Sequence, residues 1–158
     1  MTKTIVRGWI DVGDEGLMTR SGSRAKQKEC LQLAYLPERT AACGMRSALR
    51  AYLNEQGVDA PAASDLVLAA EEAFINAILH AGDEAVILVS ALVDKRQATV
   101  EVRDLGHGFD AGSRRDRGRP RRDRAHGRGL FLIHQVMDEV QITSGRGGTT
   151  VQMVRRIA

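Results

Sequence analysis

The sequence predicts a two-layer α/β sandwich of the α+β class, in which helices cover one face of a mostly antiparallel sheet. Periodic segments follow in the order strand, two helices, two strands, long loop, helix, two strands, which is typical of this architecture. The 158 residues, 43% hydrophobic and 27% charged, suit a single domain with its own core. We therefore expect one folded body of ordinary size.

The first half of the chain supplies one strand and two helices. Residues 30–35 alternate weakly in hydropathy and stop before Pro37, which predicts a strand. A helix then begins near residue 38 or 40 and ends at Gly57, and a second helix spans about 62–81. The first helix is predicted from apolar residues at every fourth position, namely Ala41, Met45, Leu49 and Leu53.

The second half supplies four strands and one helix. Residues 84–93 and 97–104 read as strands joined by a tight polar turn, Asp94-Lys95-Arg96. A third helix follows Gly127-Arg128-Gly129-Leu130, and two strands, about 139–143 and 149–155, complete the sheet.

The remaining 28 residues at the start of the chain, with a short strand-like piece at residues 4–10, are predicted to form an N-terminal extension, and the domain proper spans 29–158. Trp9 in this extension either packs on the domain or marks a partner contact. We expect a cytoplasmic protein that does not enter a membrane, because the sequence shows neither an apolar run of about 20 residues nor a leader pattern. Cys30 and Cys43 are too few for a disulfide framework.

A polar stripe in the second predicted helix first suggests a functional site. Glu72, Asn76 and His80 recur every four residues and therefore share one side of the helix. A different side is apolar and can be buried against a sheet, which would hold the stripe rigidly at the edge. That apolar side comprises Val67, Ala70, Phe74, Ala77 and Ala81.

Asp104 ends a predicted strand at a position that shares its parity with apolar residues. An ionised carboxylate on the core side needs hydrogen-bond donors, so Asp104 either has a dedicated partner or caps the backbone of the turn. Gly106 and Gly108 follow it, and glycine permits close approach of another group to the backbone. Residues 127–130 add glycines at a helix start, where free backbone N–H groups and the helix dipole favour phosphate.

These segments together resemble, in order, the conserved boxes of the GHKL ATPase superfamily, which has the Bergerat or histidine-kinase-like ATPase fold. The boxes are Glu72-x-x-x-Asn76, Asp104-x-Gly106-x-Gly108, Gly127-x-Gly129-Leu130 and Gly148-Thr149-Thr150. Within the superfamily, the sequence around them is similar to the anti-sigma serine kinases of the RsbW and SpoIIAB type. The resemblance covers about residues 31–156.

The resemblance implies ATP and Mg²⁺ as cofactors and assigns a role to each box. Asn76 would be the metal ligand, Asp104 would accept a hydrogen bond from the adenine amino group, and Thr149 would support the adenine end. Glycines 106 and 108 would let the backbone pass close to the nucleotide. The phosphates would lie at the third helix, against Gly127, Arg128, Gly129 and Leu130.

Glu72 is the catalytic residue that the resemblance implies, as a general base for a serine hydroxyl, although a solvated helix carboxylate is the alternative. His80 either lines the edge of the site or is a structural histidine, and it is left out of the catalytic set. The segment 109–128 is expected to be an ATP lid. Between residues 111 and 128 lie eight arginines and two aspartates, while the rest of the chain holds 15 basic and 18 acidic residues.

Three interpretations of these arginines are open. One or two of them, with Arg128 the best placed, would fold over the triphosphate. For most of them we favour a solvated or partner-binding surface. A nucleic-acid arm ranks third, because no aromatic residues interleave with the charges, and no direct nucleic-acid binding is expected.

The function implied by the resemblance is that of an anti-sigma factor and protein-serine/threonine kinase in a partner-switching module. It would bind a sigma factor and phosphorylate a serine on a STAS-domain anti-sigma-factor antagonist with Mg-ATP, and it would form a homodimer. The alternative is an ATP-binding, non-catalytic switch that sequesters a regulatory partner. The ATP-binding half of a sensor histidine kinase is disfavoured, because the sequence has no helix pair carrying a phosphoacceptor histidine.

Overall fold

Six antiparallel strands form one sheet in the computed structural model, in the order β1-β2-β3-β4-β6-β5. The structure describes residues 4–12, 26–82, 85–106 and 128–157, with side chains for 29–82, 85–106 and 129–157. The strands are β1 (Thr4–Val12), β2 (Lys26–Tyr35), β3 (Ile87–Val93), β4 (Gln97–Asp104), β5 (Glu139–Gly145) and β6 (Gly148–Arg156). The helices are α1 (Ala41–Glu55), α2 (Ala60–His80) and α3 (Arg128–Val136).

The helices cover one face of this sheet, as predicted. Every second residue of the central strands is buried, for example Val89 in β3 and Val100 in β4, and the intervening residues are more exposed. Strand residues alternate between the two faces of a sheet, so the burial pattern places the core on a single side. All five described strand pairings are antiparallel, which confirms the predicted fold class.

The main difference from the predicted elements lies at the start of the chain. β2 begins at Lys26 rather than at residue 30, because β1 pairs with it residue by residue from Thr4↔Ala34 to Val12↔Lys26. The polar residues 26–29 lack hydrophobic alternation, so their strand conformation was not visible in the pattern. β2 thus crosses the predicted domain boundary between residues 28 and 29, and β1 belongs to the sheet.

α2 is the element that positions the candidate site. The Asp59 carboxylate accepts a hydrogen bond from the Ala62 N–H at 2.9 Å, and Pro61 lies in the first turn, two features that favour a helix start. Many of its buried residues are alanines, which lets the helix lie close to the sheet. Phe74 packs edge-on against Tyr35 of β2 at a ring-centroid distance of 5.4 Å. These contacts determine how far α2 lies from the sheet and how it is rotated about its own axis.

An ion-pair network joins the far end of the sheet to α2. Arg155 of β6 contacts Asp65 of α2 at 3.2 Å and Asp138, next to β5, at 3.3 Å. The Arg156 N–H donates to Asp138 at 2.7 Å, and this hydrogen bond, with the charges of Arg155 and Arg156, lowers the pKa of Asp138 below its ordinary 3.8. Ionised Asp138 therefore stabilises the folded chain.

We expect the stabilisation by Asp138 to depend on pH. A folded-state pKa below the unfolded value gives stability that is present above about pH 4 and is lost as pH falls through the folded pKa. Asp138→Asn should therefore lower the free energy of unfolding at pH 7 by about 1 kcal/mol, and the difference from wild type should vanish as pH falls through the folded-state pKa of Asp138. Urea unfolding at several pH values measures this difference.

Glu139→Gln is the matched control for Asp138→Asn. Its ion pair with Arg156 spans 3.6 Å between side chains that are 67% and 75% exposed, so its loss should change stability little at any pH. A constant difference between Asp138→Asn and wild type across the pH range would contradict the assignment.

Within the described part of the chain, no helix is long and apolar enough to cross a membrane.

Candidate functional site

The polar stripe predicted on α2 lies at the edge of the helix layer. Glu72 and Asn76 are half-buried, whereas His80 is exposed at the last position of the helix. The predicted apolar side is buried in the core, since Val67, Ala70, Phe74, Ala77 and Ala81 are each at most 6% exposed. The stripe is therefore held by the packing of the opposite side, as the helical spacing predicted.

Glu72 and Asn76 face the first turn of α3. A Cβ atom added at Gly129 would lie 2.8 Å from Glu72 Oε2 and 3.5 Å from the Asn76 amide nitrogen. A side chain at this position would have to displace the flexible end of Glu72, so glycine lets the carboxylate lie directly against this turn. The structure thus brings together three of the predicted site residues, although Gly129 lies more than 50 positions after Glu72 and Asn76 in the sequence.

The start of α3 provides backbone N–H groups that have no partner within the helix, and its dipole adds partial positive charge. Leu130, in the same turn, packs partly buried against the core and anchors the helix there. The Glu72 carboxylate lies against this turn, so an anion bound at the helix start would be repelled by it unless a cation lay between them. Oxygen atoms of Asn76 and Glu72 are the ligand type that Mg²⁺ prefers.

No cluster of three or more His, Cys, Asp or Glu side chains suited to a metal occurs among the described residues. A site that supplies one or two protein oxygens fits Mg²⁺ shared with phosphates and water, and it does not fit a cage built from protein side chains alone. The residues present are thus compatible with the cofactor pair that the sequence suggested.

Asp104 lies at the other end of the candidate site. It is 5% exposed and is the buried charged side chain of the described core. The Gly106 N–H donates to Asp104 Oδ1 at 3.1 Å, so one of the two carboxylate oxygens caps the backbone of the turn. Within the described residues this is the hydrogen bond that Asp104 receives, which leaves its other oxygen available to an outside donor.

Gly106 and Gly148 bring three elements together around Asp104. A Cβ at Gly106 would lie 2.6 Å from Ala81 Cα, at the end of α2, and would also meet the Ala81 carbonyl. A Cβ at Gly148, which has φ +109°, would lie 2.8 Å from the Asp104 carbonyl carbon and 3.0 Å from its Oδ1. Gly106 is therefore required because a side chain there would clash with the backbone at the end of α2, whether or not a ligand is bound.

Thr149 follows Gly148 on the strand face that contains buried Val151 and Met153. Its Oγ1 lies 2.9 Å from Ser144 Oγ, which fixes the rotamer of Thr149 across the β5–β6 pair. Gly148 belongs to the last of the four boxes but is not among the predicted site residues. Its position at the start of a predicted strand is the one sequence signal that points to it. Its close approach to the Asp104 backbone and carboxylate is visible only in the fold.

The two ends of the candidate site are joined by α2. Nine residues separate Glu72 from Ala81, which corresponds to about 13 Å along a helix. This length suits an extended ligand, with a base at Asp104 and an anionic group at α3, better than a single small anion. Gly108, Gly127 and the rest of the predicted lid 109–128 lie outside the described residues, except that Arg128 is the first residue of α3.

Comparisons with known proteins agree with this geometry. Residues 33–155 match the family model described as histidine kinase-like ATPase domain. The chain is 31% identical over 134 residues to the serine-protein kinase RsbW of Listeria monocytogenes, covering 78% of this chain and 84% of the relative. It is also 31% identical over 101 residues to the anti-sigma F factor of Clostridium acetobutylicum, covering 60% of this chain and 70% of that protein.

A solved structure supports the fold. The structure of the RsbU and RsbW domains of Rv1364c from Mycobacterium tuberculosis matches with a TM-score of 0.63 at 24% identity. The match covers 84% of this chain and 34% of the Rv1364c chain, so this chain spans about a third of that protein. At this identity the likeness concerns the fold alone.

Proposed function

Because the chain belongs to the histidine kinase-like ATPase family, in the branch that contains RsbW and anti-sigma F factor, we propose that it is an ATP-dependent protein-serine kinase and anti-sigma factor. It binds a sigma factor and transfers phosphate to a serine on a STAS-domain antagonist, and it acts as a homodimer. The observation that carries the proposal is that Glu72 and Asn76 lie together against Gly129 at the start of α3.

The proposed site divides into an adenine end and a phosphate end. Asp104 receives the adenine amino group on the oxygen that the turn leaves available, with Gly106 beside it, and Thr149 supports the adenine end. Backbone N–H groups of the Gly127–Leu130 segment hold the phosphates, and Arg128 adds positive charge. Asn76 holds Mg²⁺, which when bound neutralises charge on the phosphates.

Glu72 acts on the phosphoacceptor serine. Its carboxylate lies against Gly129 and one helical turn from Asn76, so it can accept the proton of a serine hydroxyl that faces the terminal phosphate. In phosphoryl transfer, positioning and charge stabilisation do most of the catalysis.

A transfer assay tests the proposal. We expect the full chain, incubated with Mg-ATP labelled at the γ-phosphate and with STAS-domain proteins of its source cell, to label a serine on one of them. Chelation of the metal with EDTA should abolish the label. Mass spectrometry of the product identifies the serine.

Two outcomes would contradict kinase activity. A stable, ATP-dependent complex with a STAS-domain protein or sigma factor, without phosphoserine, would instead support the alternative of a non-catalytic switch. Absence of ATP binding by calorimetry would contradict both functions, because both require nucleotide.

A further inference from the structure

A row of three polar side chains crosses one end of the sheet on the face that the helices cover. β4 and β6 pair so that Val102 lies opposite Val151, and both of these residues are buried on that face. Two residues further along each strand, Asp104 and Thr149 share the same face, because strand residues alternate. Ser144 of β5 lies opposite Thr149 and extends the row to the edge strand.

A hydrogen bond joins the outer two members of this row. Ser144 Oγ lies 2.9 Å from Thr149 Oγ1, and both residues are half-buried. A hydroxyl group has one proton to donate and two lone pairs that accept, so at this distance either residue can be the donor. If Thr149 donates to Ser144, its oxygen can only accept from a ligand. If Ser144 donates, the Thr149 proton stays available to a ligand.

The chemistry of the adenine end favours one of these two directions. One Asp104 oxygen accepts from the Gly106 N–H, and in the proposed function the adenine amino group donates to the other. The ring nitrogens on either side of that amino group, N1 and N7, carry no hydrogen and only accept. A side chain beside Asp104 must therefore donate, whichever of the two nitrogens it meets. Thr149 meets this requirement only when Ser144 is the donor of their shared hydrogen bond.

Ser144 acts through Thr149 rather than on the base itself. Two strand spacings, about 10 Å, separate β5 from β4, so Ser144 is a row position farther from Asp104 than Thr149 is. The start of β6, in contrast, is held against Asp104, since a Cβ added at Gly148 would lie 3.0 Å from Asp104 Oδ1. Thr149, the next residue, is thus the hydroxyl of the row that lies nearer to the adenine acceptor.

We propose that Ser144 is a positioning residue for the nucleotide base. It donates its proton to Thr149 Oγ1 and thereby leaves the Thr149 proton for a ring nitrogen of adenine, directly or through one water. The inference rests on the nucleotide-binding part of the proposed function. Successive hydrogen bonds that run in one direction polarise one another, so the Ser144 hydroxyl strengthens the bond that Thr149 makes to the base.

Nucleotide affinities measured by calorimetry test this role. The ligands are Mg-ATP, 1-deaza-ATP and 7-deaza-ATP, and each analogue lacks one of the two ring nitrogens beside the amino group. Ser144→Ala should weaken ATP binding by about three- to tenfold. One analogue should bind the wild-type chain more weakly than ATP by a similar factor, because it lacks the acceptor that Thr149 meets. Ser144→Ala should not weaken the binding of that analogue further.

This pattern separates positioning from a structural role. If the hydroxyl pair only joined β5 to β6, Ser144→Ala would weaken the binding of ATP and of both analogues by the same factor. That result would overturn the inference, and so would an unchanged affinity for ATP. Ser144→Thr keeps a hydroxyl at this position and should retain ATP affinity within about twofold. A loss in Ser144→Thr as large as in Ser144→Ala would contradict the assignment.

Thr149→Val gives an independent readout. Valine has nearly the shape of threonine but no hydroxyl, so in this variant Ser144 has no oxygen at residue 149 to which it can donate. Adding Ser144→Ala to Thr149→Val should therefore leave ATP affinity unchanged. Equal losses from Ser144→Ala in the two backgrounds would refute the coupling.

Thr143→Ala is the matched control for Ser144→Ala. Thr143 is exposed and lies opposite Thr150, on the other face of the sheet, so the loss of its hydroxyl should not change ATP affinity. The melting temperature of each variant without nucleotide shows whether its fold is retained.

The outcomes distinguish this inference from the kinase proposal. ATP binding of equal strength in wild type and Ser144→Ala would refute the role of Ser144 and leave the kinase. The expected affinity pattern, without phosphoserine on any STAS-domain protein of the source cell, would refute the kinase and leave the role of Ser144. Absence of ATP binding by the wild-type chain would overturn both.

Discussion

Glu72→Gln is expected to slow phosphate transfer to the proposed STAS-domain substrate by a factor of at least about 10², while ATP binding persists. The amide has nearly the same shape as the carboxylate and fits the same space beside Gly129, but it cannot accept the serine proton. Single-turnover transfer at saturating substrate measures the chemical step, and calorimetry measures nucleotide affinity.

Glu101→Gln is the control for Glu72→Gln. Glu101 lies in β4 on the strand face opposite to buried Val100 and Val102, so its substitution should leave transfer unchanged. Normal transfer by Glu72→Gln would refute the base assignment, and loss of ATP binding in that variant would mean that Glu72 acts on the nucleotide rather than on the serine.

Gly148→Ala is expected to destabilise the fold by about 2 to 5 kcal/mol and to weaken ATP binding at the same time. Its φ of +109° disfavours any side chain, and the new methyl group would overlap the Asp104 carbonyl and press on its carboxylate. The start of β6 and the end of β4 would have to separate, which moves the predicted adenine acceptor. Thermal unfolding and nucleotide titration measure the two effects.

Gly147→Ala, one residue earlier in the same turn, is the matched control. Nothing lies within 4 Å of a Cβ added there, and its φ is not in the left-handed region, so its effect should stay below about 0.5 kcal/mol. Equal melting temperatures for the two variants would show that the close approach of Gly148 to Asp104 does not constrain the site.

The placement of Glu72 and Asn76 on one side of α2 could be predicted because helical periodicity determines most of it. A repeat of four residues places Glu72 and Asn76 on one side of any helix, and the opposite apolar side fixes which way that helix rotates. Likewise, the parity of β4 alone indicated that Asp104 is core-facing, and it is 5% exposed. Local patterns were enough to predict which side of the protein a residue faces wherever that side depends on one helix or strand alone.

Features that depend on contacts between distant segments could not be predicted. From the sequence, Gly106 is predicted to leave space for a ligand. In the structure, a Cβ added at Gly106 would instead meet the backbone of Ala81, the residue that caps the C-terminal end of α2. The ion pair of Arg46 with Glu71 joins residues 25 positions apart, and neither residue stands out from an ordinary helix surface. Only the packing of α1 on α2 makes these charges neighbours.

The pairing of β1 with β2 decides which strand forms the edge of the sheet. The part of the sequence that matches the family model begins at residue 33, inside β2, so a chain reduced to that part would expose backbone N–H and C=O groups beside Leu33. Unpaired edges of this kind recruit strands from other molecules and promote aggregation. β1 therefore pairs with this edge of β2, and it lies outside the part of the chain that matches the family model.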